Sequence, residues 1–181
     1  MEVDFSKLGL AKLNIIHYPD PRLRKRAAAV ERFDEQLAAL ARRMLEMMRE
    51  AKGVGLAAPQ LGLPLRLFVM NATEDPANDL VVINPQISDG LQIKEAEEGC
   101  LSIPEVRVNV RRPSRVHLRA QDVTGQSFEL EGADLAARVW QHETDHLDGV
   151  LIIDRMSPSD KIAVRKSLKD LETKFHKKSS K

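Results

Sequence analysis

The segment Gln141-His142-Glu143-Thr144-Asp145-His146 constrains this chain more than any other. Two imidazoles four positions apart lie one above the other on a helix, where they grip a single metal ion. The helix that carries them is expected to pack against the rest of the fold as its central element. Glu143, between the two histidines, is placed to handle protons at the metal. Two histidines make only half of a tetrahedral site, so the next question is what supplies a third protein ligand and leaves the fourth position open.

Three positions compete for that role. A further histidine six places beyond His146 would complete a metzincin-like site, but Ile152 stands there. A downstream glutamate would give a thermolysin-like site, and Glu172 is the only glutamate after Glu143. It sits among Lys169, Lys174 and Lys177, where a solvated surface charge is the ordinary reading. Cys100 remains, and a thiolate is a good soft ligand for a divalent transition metal. As the only cysteine, it forms no internal disulfide and must be a buried filler, a nucleophile or a ligand.

Periodicity places these residues on elements. Leu37, Leu40, Ala41, Met44, Leu45 and Met48 recur at helical spacing between an Asp34 N-cap and a stop at Gly53. Short β-rich runs follow at Leu65–Met70, Leu80–Ile83, Val106–Val110 and Val116–Arg119, punctuated by prolines and glycines, which predicts antiparallel hairpins rather than βαβ units. Asn71–Asp79 is polar and reads as a surface loop. A second helix is expected over Asp134–Leu147, with Gly149 at its end, and a third from Ser157 toward Phe175 with a stripe of Ile162, Val164, Leu168, Leu171 and Phe175. The expected fold class is α+β: mainly antiparallel strands packed around a central metal-binding helix, with an N-terminal and a C-terminal helix. At 181 residues and 43% hydrophobic composition, residues 1–181 read as one domain, with a basic tail over about 174–181.

Glu98-Gly99-Cys100-Leu101-Ser102, the Gln141–Gly149 segment and Gly53-Val54-Gly55-Leu56-Ala57-Ala58-Pro59-Gln60 together resemble the three signature segments of the peptide deformylase family, in family order and spacing. The resemblance runs from His17-Tyr18-Pro19-Asp20-Pro21 to the C-terminal helix. It implies that Cys100, His142 and His146 bind the metal, with Fe(II) expected and Zn, Ni or Co as substitutes. It makes Glu143 the general base and acid, and makes Gln60 and the Leu101 backbone N–H donors to the oxyanion. Gly55 would lie along the bound peptide and offer main-chain hydrogen bonds. The implied substrate is the N-formyl-methionine end of a nascent polypeptide, cleaved to formate and a free amine.

The chemistry is coherent on its own terms. A divalent ion lowers the pKa of water at its open position to about 7, and an oxyanion donor is typically worth about 3 kcal/mol. Val54, Leu135 and Val139 are apolar and expected near the metal, suggesting a pocket for an unbranched apolar side chain; as ordinary core residues they would need no such role. Arg138 is expected to cover that pocket with its methylenes while its charge reaches water. Arg107 is expected to pair with Glu98 and fix the cysteine loop. Trp140 points off the ligand face and reads as packing.

A net charge of +1 excludes a chain dominated by nonspecific attraction to nucleic acid, and no DNA partner is expected. No apolar run approaches membrane-spanning length, and the acidic start Met1-Glu2-Val3-Asp4 fits neither a secretory signal nor a transit peptide, so a cytoplasmic location is expected. From Lys161 to Lys181 eight basic residues face two acids, Asp170 and Glu172. The resemblance makes the ribosome a candidate partner for this helix, against a merely solvated tail. Two other readings stand beside the deformylase one. The first is another small metallopeptidase or metal amidase that uses Glu172; the second is a noncatalytic protein with a structural metal and an RNA-binding helix.

Overall fold

The computed structural model of the chain describes residues 9–73 and 75–179; the acidic start Met1–Asp4, and Ser180 and Lys181 of the basic tail, lie outside them. Among the described residues, five strands form one antiparallel sheet in the order β1 (Gly55–Ala57), β2 (Leu67–Met70), β3 (Leu80–Cys100), β4 (Ile103–Gln121) and β5 (Ser127–Ala133). The helices are α1 (Glu35–Glu50), α2 (Asp134–Leu147), α3 (Ile152–Arg155), α4 (Pro158–Ala163) and α5 (Arg165–Ser179). The fold is α+β, as the alternation of periods predicts.

α1 starts where expected. Asp34 Oδ1 accepts the N–H groups of Gln36 and Leu37, and the apolar stripe from Leu37 to Met48 is buried against β1 and β2. The helix ends at Glu50, and Lys52 with φ 56° makes the left-handed turn. Gly53 lies close to the hairpin that follows β3: a Cβ there would stand 2.8 Å from Leu101 Cδ1, so the leucine side chain would have to shift.

The strands depart most from expectation. The two expected runs Val106–Val110 and Val116–Arg119 are parts of one strand, β4, in which every even-numbered residue from Val106 to Ala120 is buried. Pro113 does not interrupt it, because it lies on the outward face opposite Ile93. β3 runs far past Ile83. It continues through Pro85 and Gly90 by shifting register between Ile83 and Gln86 and between Ser88 and Leu91, with Asn84 and Gln92 at positive φ. β1 and β5 were not expected. β1 is only three residues long, and β5 offers an apolar alternation of just four residues, Phe128 and Leu130 against Glu129 and Glu131.

β5 leads directly into α2, whose inner face packs on β1, β2, β4 and β5. Trp140 is buried there, as its off-ligand position predicts, and its indole N–H faces Met70 Sδ at 3.1 Å. After α2 the chain reverses at Gly149, φ 75°, where a Cβ would meet the Arg24 carbonyl oxygen at 2.5 Å. The expected third helix is two helices, α4 and α5, broken at Val164. Ile162 and Val164 sit about 200° apart on a helix and cannot share a face. Val164 is buried with Leu168 and Leu171 packed nearby, while Ile162 is 79% exposed. The Asn71–Asp79 loop is anchored by buried Asn71, whose amide donates to Asp79 Oδ1 and the Asp75 carbonyl. No described helix is long and apolar enough to cross a membrane.

Candidate metal centre

α2 presents His142 and His146 one turn apart, with ring centroids separated by 5.1 Å. The third donor comes from the last residue of β3. Cys100 pairs with Ile103 across a two-residue hairpin, Leu101-Ser102, that turns β3 into β4 beside α2. Cys100 Sγ lies 3.3 Å from His146 Nε2, and donor atoms of Cys100, His142 and His146 all fall within 4.8 Å of one another. Among the described residues this is the only group of three or more His, Cys, Asp or Glu side chains that could hold a metal ion. A thiolate and two imidazole nitrogens suit a divalent transition ion, and a tetrahedral ion held by these three donors would keep one coordination position open. The donor set therefore fits the metal that the sequence implies.

Behind the ligands stands a charged network of which only one end was anticipated. His142 Nδ1 lies 3.0 Å from Glu98 Oε2, which leaves Nε2 for an ion. Glu98 is buried, and the Arg112 guanidinium embraces it through Nε at 2.7 Å and Nη2 at 2.9 Å. Arg138 Nη1 adds a third donor at 2.7 Å. Arg112 Nη1 bonds Asp145 Oδ2 at 2.7 Å, and Asp145 in turn meets Arg155 at the surface. Burial alone would raise the Glu98 pKa, but the His142 and Arg112 hydrogen bonds outweigh it and bring it down to about 2. Burial likewise opposes a charged His142, yet Cys100 and Glu98 raise its pKa well above 6.5, while burial and the His142 charge push His146 well below.

The expected Arg107–Glu98 pair does not form. In register Arg107 opposes Gly99 and shares the outward face with Glu97, which it meets at 3.3 Å, whereas Glu98 points inward. Arg138 also departs from expectation. It lines the cavity, but its charge goes to Glu98 and to the carbonyls of Val110 and Lys94 rather than to water. Sequence reasoning missed Arg112 altogether. The signal was present: an arginine at an inward position of a mainly apolar alternating strand must be paired.

A cavity of about 510 Å³ opens over Cys100 and His142, lined also by Val54, Gly55, Gln60, Leu101, Leu135, Val139 and Glu143 among others. Val139 is buried as core as well, whereas Val54 and Leu135 are 45% and 49% exposed at the cavity mouth. Glu143 is buried and its Oε2 has no protein hydrogen-bond partner, the condition of a group kept for chemistry. Burial pushes its pKa up to about 7, with His142 and Arg112 pulling only partly against it. Gly55 brings its backbone against that carboxylate: a Cβ would lie 2.3 Å from Glu143 Oε1. Gln60 is buried in a single helical turn after β1; its Oε1 accepts the Ala57 N–H at 2.8 Å, and its Nε2 reaches toward Ser102 Oγ and Cys100 Sγ. Glu172 is remote from this group. It lies on α5 and accepts the Tyr18 hydroxyl at 2.7 Å, which removes the ligand that a thermolysin-like site would need.

The family model of polypeptide deformylase matches residues 12–162. A peptide deformylase of Thermotoga maritima is 48% identical over 155 residues, covering 85% of this chain and 93% of that protein. One of Acidobacterium capsulatum is 44% identical over 160 residues, covering 87% and 94%. Among solved structures, a plant peptide deformylase superposes with TM-score 0.90 at 39% identity, covering 94% of both chains. With this match over most of its length, and relatives of this identity and coverage, the chain belongs to the polypeptide deformylase family of enzymes.

Proposed function

We propose that this enzyme removes the N-formyl group from polypeptides beginning with formyl-methionine, releasing formate, at a divalent metal held by Cys100, His142 and His146. The observation that carries the reading is the convergence of these three donors, two of them lining a cavity in which a buried carboxylate has an unpartnered oxygen. When bound, the ion supplies Lewis acidity and makes water nucleophilic at neutral pH, with Fe(II) as the expected species. The chain's own residues do the rest. Glu143 accepts the proton of the attacking water and returns it to the departing amine, a task suited to a carboxyl whose pKa burial raises to about 7. Gln60 Nε2 and the Leu101 backbone N–H donate to the oxygen on which negative charge gathers. Glu98 engages Nδ1 of His142, so that Nε2 would be the nitrogen free to hold the ion.

Substrate choice follows from the walls. β1 is an edge strand, so Gly55 can pair its backbone with an extended peptide. Val54, Leu135 and Val139 offer apolar surface to an unbranched methionine side chain. The nascent chain is the substrate source, the cytoplasm the place of action, and the whole of residues 1–181 one catalytic domain. Docking of the basic α5 on the ribosome remains part of the proposal, with salt-dependent binding of the full chain as its signature. Formate release from formyl-Met peptides is the direct assay. The Fe(II) or Ni(II) form is expected to be active and a chelator to abolish activity; an inactive loaded protein rejects the reading.

A further inference from the structure

Ser102 has no part in the chemistry above, yet it is fully buried beside it, with Oγ 3.2 Å from Gln60 Nε2. We propose that Ser102 is a positioning residue for the reaction: its hydroxyl oxygen holds the Gln60 amide so that Nε2 faces the developing oxyanion. The inference rests on the deformylase reading and on the donor role of Gln60 within it.

A glutamine amide looks nearly the same either way round, so its useful face has to be set by its neighbours. At Gln60 both ends are specified. The Ala57 N–H at 2.8 Å requires an acceptor, which fixes Oε1 on that side. Ser102 Oγ at 3.2 Å then receives one of the two Nε2 hydrogens, and the other is left on the side where Cys100 Sγ stands at 3.7 Å. Without Ser102 the amide keeps the Ala57 bond at 2.8 Å and the long contact to Cys100 Sγ at 3.7 Å, and its last side-chain torsion, a broad one for this residue type, is held less firmly. The donor then spends only part of its time aimed at the reacting oxygen.

The backbone is built to keep this pair together. Ile16 N–H donates to the Gln60 carbonyl at 2.8 Å, and Tyr18 N–H donates to the Ser102 carbonyl, also at 2.8 Å. One short N-terminal segment therefore straps the turn that carries Gln60 to the hairpin that carries Ser102. Sequence alone offers no such link, since the two residues are 42 positions apart.

Ser102→Ala, Gln60→Ala and the double variant, each loaded with the same ion, are compared for kcat, KM, metal content and melting temperature. Ser102→Ala is expected to lower kcat roughly tenfold with KM and metal content at the parent level, and Gln60→Ala to lower kcat about a hundredfold. In the Gln60→Ala background the Ser102 change is expected to cost nothing further, because the group it positions is gone. A merely structural serine would instead lower kcat by the same factor in both backgrounds. Such additivity, or loss of metal in Ser102→Ala, overturns the proposal while leaving the deformylase reading intact. A Gln60→Ala variant with parental kcat removes the oxyanion role of Gln60, and the Ser102 proposal falls with it.

Discussion

Individual residues divide into those whose partners are near in sequence and those whose partners are not. His142 and His146 were legible because one helical turn relates them, and Cys100 because it is the only thiol in the chain. Arg112 and Ser102 were not, since their partners Glu98, Asp145 and Gln60 meet them only through strand register and a hairpin. Arg107 misled for the same reason, as one step along a strand reverses the face. Two predictions belong at this scale. Cys100→Ser exchanges a thiolate for a neutral hydroxyl, so bound metal is expected to fall below stoichiometric amounts in elemental analysis, whereas a site built on Glu172 would keep it. Gly55→Ala places a Cβ where Glu143 Oε1 now stands. Either the carboxylate or β1 must yield, and kcat is expected to drop at least tenfold in the formate assay while bound metal stays stoichiometric.

Elements were read well where one period ran unbroken and poorly where it was punctuated. α1 and α2 have clean stripes and were placed within a few residues of their ends. β3 and β4 were cut short at prolines that the structure accommodates at register shifts or on an outward face, a decision made by the neighbouring strand rather than by local preference. The helical turn Pro21–Arg24 shows how a small element is held. Asp20 accepts the Arg22 N–H at 2.9 Å and chelates its guanidinium, and these bonds hold the Asp20 carboxyl below its ordinary pKa of 3.8. A depressed folded pKa contributes stability that is present above pH 3.8 and lost as pH falls through the folded value. Asn caps a helix nearly as well as Asp but carries no charge. In acid unfolding, the parent is therefore expected to exceed Asp20→Asn in stability above about pH 4 and to lose that margin below it. A margin that does not shrink as pH falls below 3.8 would mean that the carboxylate charge is not its source.

At the scale of the molecule, three hydrophobic clusters among the described residues hold the sheet to α1, to α2 and to the α3–α5 segment, and Cys100 and the two histidines of α2 lie where the last two approach. Cys100 packs with the cluster of Leu23, Ile103 and Val106, while Leu147 of the ligand helix packs with that of Phe68 and Trp140. An ion bound to Cys100, His142 and His146 would thus bridge the β3–β4 hairpin and α2, and unfolding would release it. Binding to the folded state alone stabilises by RT ln(1 + [L]/Kd), about 4 kcal/mol at a free-ion concentration a thousandfold above Kd. For a chain of this size that corresponds to a shift on the order of 10 °C. Calorimetry is expected to show a melting temperature that falls by this amount on chelation and returns when the ion is restored. In Cys100→Ser the parent's metal-free melting temperature should be nearly preserved, because losing one partly buried sulfur from the rim of a cluster costs little, while the response to the ion collapses. A variant that melts well below the metal-free parent would instead make Cys100 chiefly a packing residue.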